Sequence, residues 1–345
     1  MNFNPYHYVR RFLFNMNAED AHVWTLNQLK KYSNNPILRR FLQKSFPTLE
    51  TEFMGLKVKN PVGLAAGLDK NGDYIDVLAG LGFGFLEIGT VTPRAQPGNP
   101  RPRLYRIPEH SALINRMGFN NNGLDALIQN VKQSSFQKNG GILGLNIGKN
   151  ADTPIEEATQ DYLIGLEGVY PYADYVSINI SSPNTKNLRD LQNSSSLENL
   201  LKTLHEKRLE LQKNYHRYVP IALKIAPDLE DEQIDEIATL ITEHHIEGVI
   251  ATNTTISRQS IANHELASQT GGLSGPMLHQ MSLRVIKILR EKLSSDKAII
   301  GVGGIQSGDA AKETIAAGAN AIQIYTGLIY HGPQLVEECL NALRK

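Results

Sequence analysis

The stretch Asn179-Ile180-Ser181-Ser182-Pro183-Asn184 directly follows the apolar run Tyr175-Val176-Ser177-Ile178. A β-rich run that opens into such a segment reads as a buried strand ending in a reactive loop. Asparagine offers paired donors and acceptors, and serine a hydroxyl. Ordinary turns use the same residues, so the stretch gains meaning only from what accompanies it. Lys224 lies inside the apolar run 221–226. A buried lysine charge is costly without a partner. It implies either an internal salt bridge or a cation aimed at an electron-rich ligand. Gly303-Gly304 and Thr326-Gly327 expose backbone N–H groups, and Ser307 is suited to cap the next helix, a pattern that binds phosphate. Asn115, Asn179, Asn184 and Asn253 together suit a ring with alternating N–H and C=O edges, such as a pyrimidine, and Lys70 would add charge against a carboxylate.

These residues need a frame, and the chain supplies a periodic one. Eight short apolar runs, 61–67, 85–91, 142–148, 175–181, 221–226, 248–254, 298–305 and 321–327, follow one another. Helix-compatible segments at 123–136, 155–169, 197–215, 231–244, 277–293 and 309–317 separate most of them. Alternating strands and helices imply parallel strands with crossover helices. Eight repeats over roughly 270 residues predict a closed (β/α)₈ TIM barrel rather than an open doubly wound sheet. Polar residues or glycines stand at the C-terminal end of every run. The connections 92–122, 183–196 and 255–276 are too long for plain turns. In a barrel that end carries the active site.

The chain has 345 residues, with Lys+Arg 35 balancing Asp+Glu 35, so no global charge favours nucleic acid. Hydrophobic residues make up 41%, enough for a full core. The single cysteine, Cys339, excludes an intramolecular disulfide and a cysteine-based metal cluster, and no metal site is expected. No apolar run reaches transmembrane length, and the N-terminus lacks a secretory signal.

Residues 1–45 differ from the rest. They hold seven basic residues, Arg10, Arg11, Lys30, Lys31, Arg39, Arg40 and Lys44, against Glu19 and Asp20. Phe3, Tyr6, Val9, Phe12, Leu13 and Met16 recur at helical spacing. Asn17 then reads as the N-cap of a second helix bearing Ala21, Trp24, Leu26 and Leu29, which runs toward Ser33-Asn34-Asn35-Pro36. A third short piece spans 37–46. Basic amphipathic pieces of this kind either pack on the main domain or face a membrane surface. The division expected is a helical membrane-associating segment at 1–45 and a catalytic barrel at 46–345.

Several motifs resemble the dihydroorotate dehydrogenases, in particular the membrane-associated, quinone-dependent class. They are Gly63-Leu64-Ala65-Ala66-Gly67-Leu68-Asp69-Lys70, Pro97-Gly98-Asn99-Pro100-Arg101-Pro102-Arg103 and Ile114-Asn115-Arg116-Met117-Gly118-Phe119. With them stand Ser177-Ile178-Asn179-Ile180-Ser181-Ser182-Pro183-Asn184-Thr185, Ala251-Thr252-Asn253-Thr254-Thr255, Gly271-Gly272-Leu273-Ser274-Gly275 and Gly301-Val302-Gly303-Gly304-Ile305. Their order and spacing run from about residue 49 to the C-terminus, while the head matches by length and helical character.

The resemblance implies oxidation of dihydroorotate to orotate in pyrimidine biosynthesis, with one non-covalent FMN per chain and a membrane quinone as final acceptor. It places FMN against Ala66, Gly67, Leu68, Asp69, Lys70, Thr90, Asn146, Asn179, Lys224, Thr252, Gly275, Gly304, Tyr325 and Thr326. It places substrate against Lys70, Asn115, Arg116, Met117, Gly118, Phe119, Asn179, Asn184, Asn253 and Thr254. Ser182 stands where the family has the base that takes the C5 proton, where soluble relatives have cysteine. Thr185 and Phe119 resemble the family's proton-relay surroundings. His22, Arg106 and Tyr325 would line the quinone path. A monomer lying peripherally on the anionic cytoplasmic face of the inner membrane is implied, with no nucleic-acid partner.

Other readings differ in testable ways. Ser182 has no histidine in its motif, which argues against a hydrolytic triad. A related flavin barrel acting on dihydropyrimidines is a neighbouring possibility, but a dihydrouridine enzyme would need a basic RNA-binding face. A barrel isomerase or lyase would use the glycines for substrate phosphate and would be colourless. A catalytically silent membrane protein leaves the polar strand ends unexplained.

Overall fold

The structure, a computed structural model, describes residues 6–33 and 46–344. The expectations for Phe3, for the stretch from Asn34 and for the third piece up to residue 45, with Arg39, Arg40 and Lys44, lie outside the described residues.

Eight strands close into a parallel barrel, in the ring order β3, β4, β7, β8, β9, β10, β12, β13. They are β3 (Val62–Leu64), β4 (Phe85–Val91), β7 (Ile142–Ile147), β8 (Tyr175–Asn179), β9 (Ile221–Ile225), β10 (Gly248–Ala251), β12 (Ala298–Val302) and β13 (Ala321–Ile324). Each coincides with one of the eight apolar runs and stops at or before its end. The surplus residues at the run ends, among them Gly67, Ser181, Thr252, Asn253, Thr254, Gly303, Gly304 and Thr326, form the loops of the C-terminal face. Strands covered on both faces have no solvent side to make polar, which is why they read as continuous apolar runs.

The crossover helices are α4 (Leu124–Gln133), α5 (Ala158–Val169), α6 (Ser194–Tyr215), α7 (Asp231–Glu243), α8 (His279–Lys292) and α9 (Gly308–Ala316), after the short α3 (Ile75–Ala79). Ser307 caps α9 as expected, its Oγ accepting the Ala310 N–H at 3.1 Å. The chain closes with α10 (Thr326–His331) and α11 (Gln334–Leu343), in which Cys339 is free and fully buried.

Two small sheets finish the barrel. The hairpin of β1 (Thr51–Phe53) and β2 (Leu56–Val58) plugs the N-terminal end, with Phe53, Met54 and Val58 against Phe85 and Tyr175. At the other end, β5 (Leu104–Ile107), β6 (Ala112–Asn115) and β11 (Gly272–Ser274) form an antiparallel sheet. The connections 92–122 and 255–276, expected as loops, therefore contribute strands to one shared cap. Strands this short carry no readable alternation.

The N-terminal helices α1 (Tyr6–Phe14) and α2 (Ala18–Ser33) form a hairpin docked beside this cap. Asn17 accepts the Glu19 N–H at 3.0 Å and so caps α2. Tyr6 Oη donates to the Ile329 carbonyl at 2.7 Å, and Arg10 to that of Tyr330 at 2.8 Å, both on α10. Leu13, Ala21 and Leu26 are buried, whereas Tyr8, Val9, Phe12, Val23 and Trp24 stay exposed. The hairpin thus packs on the barrel and keeps a second apolar face outward.

Candidate active site

Side chains inside the barrel alternate with period two. Above the apolar floor of Phe85 and Tyr175 lies a polar layer of Glu87, Asn146, Ser177, Lys224 and Gln323. Glu87 is its hub. Its carboxylate accepts from Asn146 Nδ2 at 2.8 Å, Gln323 Nε2 at 2.7 Å and Tyr175 Oη at 3.0 Å. Lys224 Nζ stands 3.7 Å from it. Beside the carboxylate, burial and the negative charge push the Tyr175 phenol far up, so Tyr175 remains a donor. The layer continues upward: Asn146 accepts from Thr90 Oγ1 at 2.6 Å, and Thr90 in turn accepts from Asn179 Nδ2 at 2.9 Å.

Above this layer opens a cavity with about 1070 Å³ of empty space, the solvent at its mouth included. Ala66, Gly67, Lys70, Thr90, Asn115, Met117, Gly118, Phe119, Asn179, Ser182, Asn184, Lys224, Thr252, Asn253, Thr254, Gly304, Tyr325 and Thr326 all line it. The four carboxamides pair off. Asn184 Nδ2 donates to Asn115 Oδ1 at 2.9 Å, and Asn253 Nδ2 reaches Ser181 Oγ at 3.0 Å and Asn179 Oδ1 at 3.4 Å.

Ser182 is buried at the cavity wall, and its Oγ accepts the Asn184 N–H at 3.3 Å. No histidine or carboxylate contacts it among the described residues. Thr185 Oγ1 is buried and unpartnered among them. Phe119, buried and at φ 52°, packs beside Gly148, where a Cβ would come within 3.0 Å of its ring.

The far end of the cavity is backbone. Gly304 has φ 69°, and a Cβ there would meet the His279 backbone nitrogen at 2.6 Å. A Cβ on Gly327 would meet the Ile305 carbonyl oxygen at 2.3 Å. Only glycine lets these segments approach so closely. Thr326 opens α10, and its hydroxyl shares a 2.8 Å hydrogen bond with Ser274. This end fits an anion.

Lys70 is half-buried. Burial and the nearby Arg103 guanidinium bring its ammonium down to about 8, against the opposing pull of Glu19 and Asp69. Glu19 on α2 is gripped by Arg103 at 2.7 Å and Arg101 at 3.0 Å. Although burial alone would raise it, these guanidiniums hold the Glu19 carboxyl below the usual carboxylate range.

Other sequence-predicted residues stand back from the cavity. Asp69 folds the following loop, accepting the N–H groups of Gly72 at 2.8 Å, Asp73 at 3.0 Å and Tyr74 at 2.8 Å. Leu68 is buried beside it. Asn146 acts through Thr90, and Gly275, at φ 144°, packs on Ala112. Arg116 points into the cap, donating to Gln269 and the Pro102 carbonyl at 2.8 Å each and to the Tyr105 hydroxyl. Of the three quinone-path positions, only Tyr325 lines the cavity. Arg106 closes the end of α1 through the carbonyls of Leu13, at 2.9 Å, and Met16. His22 faces the Leu68 carbonyl, and burial followed by the Lys70 charge lowers it to about 4, leaving a neutral ring.

Sequence reasoning missed Glu87, Ser177 and Gln323. Period two was the available signal: Asn146 is in register with Ser177, and Glu87 with Gly144 two residues before Asn146.

Barrel, cap and cavity together define a (β/α)₈ protein whose site is lined by glycine backbone at one end and by carboxamides at the other. The profile of the dihydroorotate dehydrogenase family matches residues 48–345. Dihydroorotate dehydrogenase (quinone) of Bordetella avium is 59% identical over 99% of this chain and 98% of its own length. The protein of the same description from Ralstonia nicotianae is 57% identical over 99% and 98%. A crystal structure of DHODH from Eimeria tenella in complex with ferulenol superposes with a TM-score of 0.85 at 35% identity, covering 94% of this chain and 90% of that one. The chain belongs to the dihydroorotate dehydrogenase family.

Proposed function

We propose that this protein oxidises (S)-dihydroorotate to orotate with FMN as hydride acceptor and a membrane quinone as final electron acceptor. The observation that carries this reading is the single cavity joining an anion cradle to a serine and four carboxamides. FMN fits the donor set. The glycine cradle at Gly304 and Gly327, with Thr326, would hold its phosphate, while Lys224, Asn179, Thr90 and Thr252 would face its ring. When bound, it supplies the acceptor for the C6 hydride.

The chain's own residues do the rest. Lys70 pairs with the substrate carboxylate, and Asn115, Asn184, Asn253 and Thr254 hold the pyrimidine edges. Ser182 takes the C5 proton. A free serine hydroxyl is a poor base, so three features assist it here. The Asn184 N–H supports negative charge on Oγ. Thr185 offers a buried hydroxyl with no competing partner among the described residues. Phe119 keeps bulk water out.

The α1–α2 hairpin would lie on an anionic membrane surface. Its apolar face of Tyr8, Val9, Phe12, Val23 and Trp24 is exposed, as are Arg11, Lys30 and Lys31. Among the described residues no helix is long and apolar enough to cross a membrane. His22, Arg106 and Tyr325 would line the route by which quinone reaches the flavin, Tyr325 at the cavity wall.

The test is the choice of oxidant. Substrate-reduced enzyme should be reoxidised by a soluble quinone analogue and not by NAD or fumarate. Reoxidation by fumarate or NAD alone would move the protein out of the quinone-dependent class.

A further inference from the structure

His279 lies outside the residues assigned so far. It opens α8, is 8% exposed, and its ring sits between two elements. Nδ1 lies 3.3 Å from the Gly303 carbonyl oxygen, and Nε2 lies 2.8 Å from Glu313 Oε2 on α9. Both partners are acceptors, so the Gly303 carbonyl is engaged when a proton sits on Nδ1, in that neutral tautomer or in the imidazolium. The Gly303 carbonyl is thereby held toward α8.

The consequence falls on the next amide. In a trans peptide the carbonyl and the following N–H point in opposite directions. The Gly304 N–H is therefore turned away from His279 and toward the cavity that Gly303 and Gly304 line. Among the described residues nothing accepts that N–H. The loop runs close to α8 here: a Cβ on Gly304 would lie 2.6 Å from the His279 backbone nitrogen.

We propose that His279 is a positioning residue for the anion cradle: by fixing the Gly303 carbonyl it aims the Gly304 N–H at a phosphate monoester in the cavity. This rests on the FMN reading, with the flavin's phosphate as that anion. His279 acts from behind the loop and touches no ligand atom. Glu313, the charged group facing the ring, orients the imidazole.

Riboflavin, which is FMN without the phosphate, separates this role from a general one. Flavin fluorescence titration of the full-length, flavin-stripped chain gives affinities for FMN and riboflavin, and their ratio is the readout. His279→Leu should lower the ratio about tenfold, the worth of one hydrogen bond, with riboflavin affinity unchanged. His279→Asn, which keeps a donor near the Nδ1 position, should retain most of the ratio. Glu313→Gln should lower it less than His279→Leu. An unchanged ratio in His279→Leu, or an equal fall for both flavins, overturns the proposal. Should His279→Leu fail to fold, the Glu313→Gln ratio decides in its place, and no change there overturns it. If the unaltered protein itself shows no preference for FMN over riboflavin, the FMN reading falls and this inference falls with it.

Discussion

Lys224 Nζ and Glu87 Oε1 lie 3.7 Å apart inside the barrel, the lysine 5% exposed and the glutamate fully buried. The sequence allowed two roles for Lys224, an internal ion pair or a cation facing a ligand; the structure shows the ion pair and sets the lysine on the cavity wall. Its charge is balanced from below by Glu87, while its side chain lines the cavity above. Glu87→Leu would strip the acceptor from Tyr175, Gln323 and Asn146 and leave Lys224 unbalanced. Removing one partner of a buried pair costs about 3–5 kcal/mol. Thermal unfolding should show that loss, with a much smaller one for Glu87→Gln. Equal stability of Glu87→Leu and the unaltered protein would contradict the hub assignment.

Ser182→Ala should retain flavin, because the proposed flavin contacts do not include Ser182, which sits beside Asn184. The rate of flavin bleaching by dihydroorotate should fall about 10²–10⁴-fold, the usual share of a general base. Stopped-flow absorbance under anaerobic conditions measures it. A fall below about tenfold would assign proton removal elsewhere.

Lys70 titrates near 8, inside the accessible range. Its cationic form prevails below that pH and is lost above it. Affinity for the orotate anion should therefore be flat below pH 8 and weaken above it, by about tenfold per pH unit at most. The perturbation of the bound flavin spectrum by orotate reports the affinity. Lys70→Gln should bind weakly at every pH with no alkaline limb, and an alkaline limb that survives this substitution would assign it to another group.

Deleting residues 1–45 should abolish quinone reduction and spare flavin reduction by substrate. The cap keeps internal support without the hairpin. Arg103 loses Glu19 but still donates to the Pro97 and Asn99 carbonyls at 2.6 and 2.8 Å. Full quinone turnover in the truncated protein would refute the role given to the hairpin.

The barrel was legible because buried parallel strands leave predominantly apolar runs, and because polar residues or glycines gather toward the C-terminal end of the runs. Asn17 and Ser307 were legible as caps for a local reason, since the cap hydrogen bond spans only a few residues. Long-range partners were not. Glu87 meets Lys224, Tyr175 and Gln323 only after the ring closes. The cap sheet pairs Asn115 with Gly272 across a sequence distance that no local pattern reports. Arg116 and Asp69 sit within motifs of the right kind, yet their side chains turn to carbonyls and amides that shape the loops.

The central claim is that this one cavity brings dihydroorotate to a bound flavin. Its most direct test is the visible absorption spectrum of the purified full-length protein, recorded anaerobically before and after adding dihydroorotate. A yellow protein whose flavin band bleaches on addition is the predicted result. A yellow protein that stays yellow would keep the flavin barrel and remove the substrate. A protein that is colourless, and remains so after incubation with FMN, would contradict the account at its base.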